Sequence, residues 1–302
     1  MNFLLTGANG FLGRTILDFF FKNGYKTSTL SRNKGSSYVK DIRYPFEFNG
    51  GEIFNAVVHI AGKAHVVPKT ESEKHEFYQV NFEGTKNLCF ALEKLNQLPK
   101  SFVYISTVAV YGIDEGDGIT ENRPLNGVSP YADSKIKAEH WLGGWASERK
   151  VNLTILRLPL IAGPNPPGNL GAMINGIRSG KYISISEANA RKSVVWAADI
   201  AGIIPTLVEK EGTYNLTDGH HPTFGELEEA IASALKKRKP FKIPYWGAKV
   251  LALTGDVLGD RFPIDSMKLK KIISTLTFDD SKAKKELGWN PVSVLNKVAE
   301  IV

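Results

Sequence analysis

Apolar positions follow two rhythms over the first two-thirds of the chain, short unbroken runs and runs spaced by three or four, and the two alternate. Residues 3–6 (FLLT), 26–32 (KTSTLSR), 37–42 (SYVKDI), 56–62 (AVVHIAG), 102–107 (FVYIST) and 153–159 (LTILRLP) read as strands. Between them, Ile16, Leu17, Phe19 and Phe20 mark one helical face. Val80, Leu88, Ala91, Leu92 and Leu95 mark a second within 77–95, and 129–142 reads as a helix opened by Ser129 and Pro130. Strands alternating with helices predict an α/β fold, a doubly wound parallel sheet that binds ligands at the carboxyl ends of its strands.

From Gly163 the rhythm changes. The turn-rich stretch GPNPPGNLG (163–171) precedes a helix expected over 172–180, a strand entering a helix over 192–209, a short strand at 213–218 and a helix over 224–237. Thr223 and Glu226 form a capping box at the start of that last helix, and the remainder reads as helical with short extended pieces. The expected organisation is a larger domain over 1–168, rejoined by part of 191–218, with a smaller interleaved lobe over 169–302.

Composition adds limits rather than chemistry. The 302 residues can bury one large core or two unequal lobes. There is no apolar run of membrane-spanning length, and no basic leader or cleavage site precedes the first strand, so a cytoplasmic protein with no membrane partner is expected. The single cysteine, Cys89, has no partner for an intrachain disulfide and reads as a core thiol in a reducing compartment. Much of the +7 net charge sits in the runs 236–239 (KKRK), 268–271 (KLKK) and 282–285 (KAKK), which read as solvated helix faces and ends. With no interleaved aromatics and no nucleic-acid module, phosphates of small molecules are a better match than nucleic acid.

Candidate chemistry begins where the first strand runs into GANGFLG (7–13) and then a helix. Glycine at 7, 10 and 13 lets a backbone turn tightly and approach a pyrophosphate at a helix N-terminus, so the unit suggests a Rossmann-like dinucleotide site, although a glycine triplet alone also serves as a plain turn. Tyr131 stands four residues before Lys135, one helical turn away, where an ammonium can favour the phenolate of a residue that otherwise titrates near pH 10. An isolated pair of this kind is more often a surface tyrosine beside a solvated lysine. Ser106 and Thr107 end the fifth strand, so a hydroxyl can meet the same substrate oxygen as the phenol.

Taken together, TGANGFLG, HIAG, VNFEGTKNL, ISTVAVYG, SPYADSK, LRLPLIAGP and DDSKAKKELGW occur in the order found in extended short-chain dehydrogenase/reductases, and the chain resembles their nucleotide-sugar epimerase and dehydratase family over nearly its whole length. The resemblance implies roles. Gly7, Asn9, Gly10, Phe11, Leu12 and Gly13 would lie against a nicotinamide dinucleotide, as would Ala61, Gly62, Ser106 and Pro159, with Asp41 and Ile42 at the adenine. Thr107, Tyr131 and Lys135 would be catalytic, Lys135 also holding the nicotinamide ribose; Asn81 would serve as a packing hydrogen bond or a catalytic group. On the substrate side, Asn169 and Leu170 match a contact to the diphosphate of a nucleotide sugar. Lys192 stands where relatives have a phosphate-binding arginine, Arg191 could replace it, Arg261 is a third cation, and His65 could line the sugar pocket. No metal site is implied. By analogy, a homodimer would form through the helices bearing Asn81 and Tyr131.

Two departures from the family pattern narrow the reaction. Val108 and Ala109 follow Thr107 where the dehydratases carry Asp-Glu, and neither can move a proton, so 4,6-dehydration is not expected. Ser31 and Arg32 stand where NAD-specific relatives carry an acid, and a hydroxyl with a guanidinium suits a 2′-phosphate; NADP(H) is therefore favoured, with NAD(H) as the alternative. The expected activity is NAD(P)-dependent oxidoreduction at sugar C4 of a nucleotide sugar, by 4-epimerisation or 4-keto reduction. The rival is a non-catalytic dinucleotide sensor or scaffold of the same fold.

Overall fold

The computed structural model describes residues 1–49, 51–64, 66–186, 189–258 and 264–302. Its centre is a seven-stranded, all-parallel sheet of β1 (Asn2–Thr6), β2 (Lys26–Ser31), β3 (Tyr38–Val39), β4 (Ala56–His59), β5 (Ser101–Thr107), β7 (Asn152–Leu158) and β11 (Gly212–Asn215), in the order β11-β7-β5-β4-β1-β2-β3. Side chains alternate between its faces, as the period of two requires. Phe3 and Leu5 join Leu12, Ile16 and Phe20 of α1 (Phe11–Lys22) and Ile200 and Ala201 of α6 (Ala197–Ile203) in one buried layer. Leu4, Phe102 and Tyr104 face the other way, onto Leu88 and Leu92 of α3 (Gly84–Glu93) and Leu142 and Trp145 of α4 (Pro130–Arg149). The α/β, doubly wound parallel sheet expected from the alternation is present.

Strand order reverses between β1 and β4, since β1 leads to β2 on one side while β4 lies on the other. That switch point opens a crevice beyond the carboxyl ends of the two strands. A separate core lies outside the sheet. It unites Ala162 of β8 (Leu160–Ala162), Val194 and Trp196 of β10 (Val194–Trp196), Met173 and Ile177 of α5 (Gly168–Arg178), Leu227 and Ile231 of α7 (Phe224–Ala234), and Val298 and Ile301 of α11 (Val298–Ile301). Between these pieces the chain returns to the sheet through α6 and β11.

Three short parallel pairs, β8 with β10, β9 (Ile183–Ile185) with β12 (Phe241–Ile243), and β6 (Gly116–Ile119) with β13 (Leu276–Phe278), bind segments far apart in the chain. Helices α8 (Tyr245–Leu258), α9 (Ser266–Ile273) and α10 (Ser281–Leu287) complete the C-terminal third. Among the described residues no helix is long and apolar enough to cross a membrane.

Several element bounds differ from the sequence reading. The helix expected over 77–95 is three pieces: α2 (Glu71–Tyr78), opened by a Thr70/Glu73 capping box, a π-helical turn Gln79–Glu83, and α3. The extra residue of the π turn carries Asn81, whose amide reaches across to Lys63 and Ser134. The third strand shrinks to Tyr38–Val39, because beyond it Asp41 turns back to bind its neighbour Arg43. α4 runs to Arg149, and α5 begins at Gly168 rather than at 172.

Candidate active site

The crevice is built on the glycine turn. Gly7 takes φ +73, and a Cβ there would stand 2.7 Å from the backbone nitrogen of Ala61. A Cβ at Gly13 would stand 2.1 Å from the Gly7 carbonyl oxygen, so the first turn of α1 can close on the loop only without a side chain. The Gly10 N–H donates to that same carbonyl at 3.0 Å, and α1 begins at Phe11 with no acidic residue in its first turn. The helix N-terminus is thus left open to an anion.

Beneath the turn lies a buried relay. The Ile60 and Ala61 N–H groups, each at 3.2 Å, donate to Thr6 Oγ1, which in turn donates to His59 Nδ1 at 2.7 Å. The Thr85 hydroxyl donates to the Asn81 carbonyl at 2.7 Å, so the 2.9 Å contact with His59 Nε2 has the ring nitrogen as donor. Both ends of the ring are accounted for by a neutral imidazole. Burial, with Lys135 nearby, pushes its pKa down to about 3. The relay locks β1, β4 and the π turn together directly under the crevice.

Tyr131, Lys135 and Glu139 follow one another by four residues on α4, which Ser129 caps by accepting from the Ala132 N–H at 3.2 Å, with Pro130 in its first turn. Lys135 Nζ donates to the Ile105 carbonyl at 2.8 Å and lies 4.5 Å from the centre of the Tyr104 ring. Burial lowers this lysine to about 8, against the opposing pull of Glu139. The Tyr131 phenol is raised by burial, and the neighbouring Thr107 side chain works in the other direction. In this structure the phenol's environment is therefore set by burial and Thr107, while the Lys135 ammonium is engaged by the end of β5.

Glu139 anchors the other side of α4. Its carboxylate accepts from Arg157 of β7, with Nη2 to Oε2 at 2.6 Å, and from the Ser106 hydroxyl. Arg157 Nη1 donates to the Tyr111 hydroxyl at 3.2 Å, and Tyr111 donates to Asn215 Oδ1 of β11 at 2.7 Å. Charge pairs this deep need both partners and full hydrogen bonding. The network joins β5, β7, β11 and the face of α4 that carries Tyr131 and Lys135.

These elements wall a cleft of about 820 Å³. It collects Gly7, Asn9, Gly10, Phe11, Leu12, Ser31, Arg32, Asp41, Ile42, Ala61, Gly62, Ser106, Thr107, Tyr131, Lys135 and Pro159. Of the cofactor residues expected from the sequence only Gly13 does not line it, since it packs beneath the turn. Ser31 Oγ is held by Asn9 Nδ2 at 2.9 Å and by the Ser36 hydroxyl at 2.6 Å. Arg43 binds Asp41 through Nε and Nη2, holding that carboxyl below its usual range. Arg32, Lys40 and Arg43 line the cleft together with two acids, Asp41 paired with Arg43 and Glu76 paired with Lys63.

The substrate-side residues fare differently. Asn169, Leu170, Arg191 and Lys192 do not line the cleft; Leu170 is buried in the second core, and Lys192 Nζ donates to the Ser274 carbonyl at 2.6 Å. His65 and Arg261 lie outside the described residues. Sequence reasoning missed Lys40, Arg43, His59, Tyr104, Glu139 and Arg157. Of these, Glu139 had a signal, one further helical turn beyond Tyr131 and Lys135. Among the described residues no three His, Cys, Asp or Glu side chains gather as a metal site.

Known proteins agree with this architecture. The chain is 26% identical to an N-acetyl-alpha-D-glucosaminyl-diphospho-ditrans,octacis-undecaprenol 4-epimerase of Escherichia coli O157:H7, covering 93% of this chain and 88% of that one. It is 26% identical to a UDP-glucose 4-epimerase of Vibrio cholerae, covering 97% and 92%. A Thermus thermophilus UDP-glucose 4-epimerase solved with NAD superposes with a TM-score of 0.74 at 23% identity, over 99% of this chain and 97% of that one. The model of the NAD dependent epimerase/dehydratase family matches residues 3–217, which include the glycine turn, Thr107, Tyr131 and Lys135, and the chain belongs to that family.

Proposed function

We propose that the protein is an NAD(P)-dependent enzyme that inverts or reduces C4 of the sugar of a nucleotide sugar. The observation that carries this reading is the meeting of Thr107, Tyr131 and Lys135 in the cleft that the glycine turn opens. Both curated relatives named above are 4-epimerases, which favours inversion. A nicotinamide dinucleotide, when bound, supplies the hydride acceptor and donor. Tyr131 takes the proton of the C4 hydroxyl and later returns it, a contribution of roughly a hundredfold to ten thousandfold for general acid–base catalysis. Thr107 hydrogen-bonds the same oxygen, and Lys135 supplies the cation that favours the phenolate once its ammonium turns from the Ile105 carbonyl toward the cleft. Val108 and Ala109 lie in a 3-10 turn after Thr107 and offer no acid or base for expelling a second hydroxyl, which supports redox without dehydration.

Arg32, Lys40 and Arg43 beside the Ser31 hydroxyl support NADP(H) over NAD(H), because cations flanking an adenosine ribose favour a 2′-phosphate. The same cluster favours a second outcome, net reduction of a preformed 4-keto sugar, since NADPH is the usual reductant. For the substrate's diphosphate, Arg191 is the better candidate of the basic pair, Lys192 being tied to Ser274. The test mixes purified protein with each cofactor and a panel of UDP- and dTDP-sugars and their 4-keto forms, following nicotinamide absorbance and product. Inversion without net absorbance change marks the epimerase, stoichiometric loss of NADPH absorbance with a 4-keto sugar marks the reductase, and cofactor binding without turnover would leave a sensor.

A further inference from the structure

The C-terminal third contains a helix packed inside out. α8 (Tyr245–Leu258) buries Ala248, Ala252 and Gly255 and rests on Leu269, Ile272 and Ile273 of α9. Its larger apolar side chains point away from the protein. Trp246, Val250, Leu253 and Val257 are 72%, 58%, 53% and 85% exposed. At 100° per residue they fall within an arc of about 60°, one continuous stripe. Phe241, Tyr245, Leu251, Leu258 and Met267 are exposed as well, so that nine of the twenty large apolar side chains exposed among the described residues lie between 241 and 267. Scattered single apolar residues are ordinary on a protein surface; a contiguous stripe of this kind is not.

The charge around the stripe identifies what it meets. Residues 236–271 hold ten Lys and Arg against three Asp, an excess of seven, which equals the formal net charge of the entire chain. The other residues are balanced. Lys236, Lys237, Arg238, Lys249 and Lys270 form no ion pair among the described residues, while Lys239 and Lys242 share Glu229 at 2.8 and 3.5 Å. An apolar stripe on a helix that carries Lys249 and is flanked in the chain by further unpaired cations, with Trp and Tyr at its start, has the chemistry of a helix that lies in the interface of an anionic bilayer. At 14 residues α8 is too short to span one. A symmetric second copy would bring two strongly positive faces together, which the charge opposes.

We propose that α8 docks this protein on the surface of an anionic lipid bilayer, through the stripe Trp246, Val250, Leu253 and Val257 and the lysines beside it. The expectation of no membrane partner rested on the lack of a spanning segment, and a helix lying on the surface needs none. The inference is independent of the proposed reaction, because none of these residues lines the cleft.

Sedimentation of the full chain with vesicles tests it. The probes are phosphatidylcholine vesicles with and without about a third phosphatidylglycerol, at low salt and in half-molar salt. The expected result is co-sedimentation with the anionic vesicles only, weakened at least tenfold by salt and at least tenfold by the pair Leu253→Glu and Val257→Glu. NADP(H) affinity in that variant should remain that of the parent, showing that it folds. Exclusion from anionic vesicles would overturn the proposal. So would a concentration-dependent dimer, seen by sedimentation velocity, that the same pair of substitutions dissolves while vesicle binding is absent, because the stripe would then be covered by a second copy.

Discussion

Glu139→Gln is the perturbation that most directly probes how α4 is held. The Glu139 and Arg157 side chains are 3% and 7% exposed, so their charges are screened by little water. Glutamine keeps the shape and one acceptor oxygen but removes the anion, leaving the guanidinium buried without a counter-charge, with neutral partners only: that amide oxygen, Tyr111 and the Glu121 carbonyl. Breaking one side of a buried pair costs about 3–5 kcal/mol, or a loss of about two to four powers of ten in the folding constant. Replacing both with methionine removes the stranded charge together with its partner and should cost less than Glu139→Gln alone. Urea unfolding of the single and double variants at pH 7 measures this. The same substitution removes the charge that holds Lys135 up toward 8, so the pH above which cofactor affinity falls should move lower. A loss below about 1 kcal/mol for Glu139→Gln, on the scale of an exposed ion pair, would refute the reasoning. So would a double variant as unstable as the sum of its singles.

Other consequences are equally open to measurement. Gly13→Ala places a Cβ 2.1 Å from the Gly7 carbonyl oxygen, so the turn must shift and calorimetry should show cofactor affinity reduced by at least tenfold. Arg32→Ala should weaken NADP(H) by about tenfold or more while hardly changing NAD(H), since a charge-assisted bond to phosphate contributes roughly 1.5–3 kcal/mol; equal losses would assign Arg32 to the adenine. His59 titrates near 6.5 when unfolded and at about 3 when folded, so the unfolded chain takes up the proton first as the pH drops. Its contribution to stability is complete above 6.5 and declines below it, by about 2 kcal/mol at pH 5, and His59→Asn should flatten that slope in urea unfolding.

What could be read in advance divides along physical lines. The sheet strands were legible because burial on both faces leaves unbroken apolar runs, as in Phe3–Leu5 and Phe102–Ile105. The cleft residues were legible because turn geometry and helical spacing are local: Gly7, Tyr131 and Lys135 declare themselves within a few positions. The relay through Thr6, His59 and Thr85 was not, because its members are 53 and 26 residues apart and meet only after the sheet forms. Arg157 read as part of an apolar strand, and only its pairing across the sheet to α4 gives it a role. The basic runs near 236–239 and 268–271 read as solvated faces, since charge alone does not reveal that the helix between them turns its large apolar side chains outward. Asn169 and Leu170 stood in a recognisable loop, but local pattern could not show that Leu170 turns into the second core.

The most direct test of the central claim, hydride transfer at C4 governed by Tyr131, follows a single hydrogen. A UDP-hexose carrying deuterium at C4 is converted by the protein with its cofactor in ordinary water, and the product is read by NMR. The inverted sugar should keep its deuterium at C4, because hydride returns to the carbon it left, and Tyr131→Phe should slow formation of that product by roughly a hundredfold or more with cofactor affinity within a few-fold of the parent. Deuterium replaced by solvent hydrogen at C4, or unchanged turnover in Tyr131→Phe, would contradict that claim.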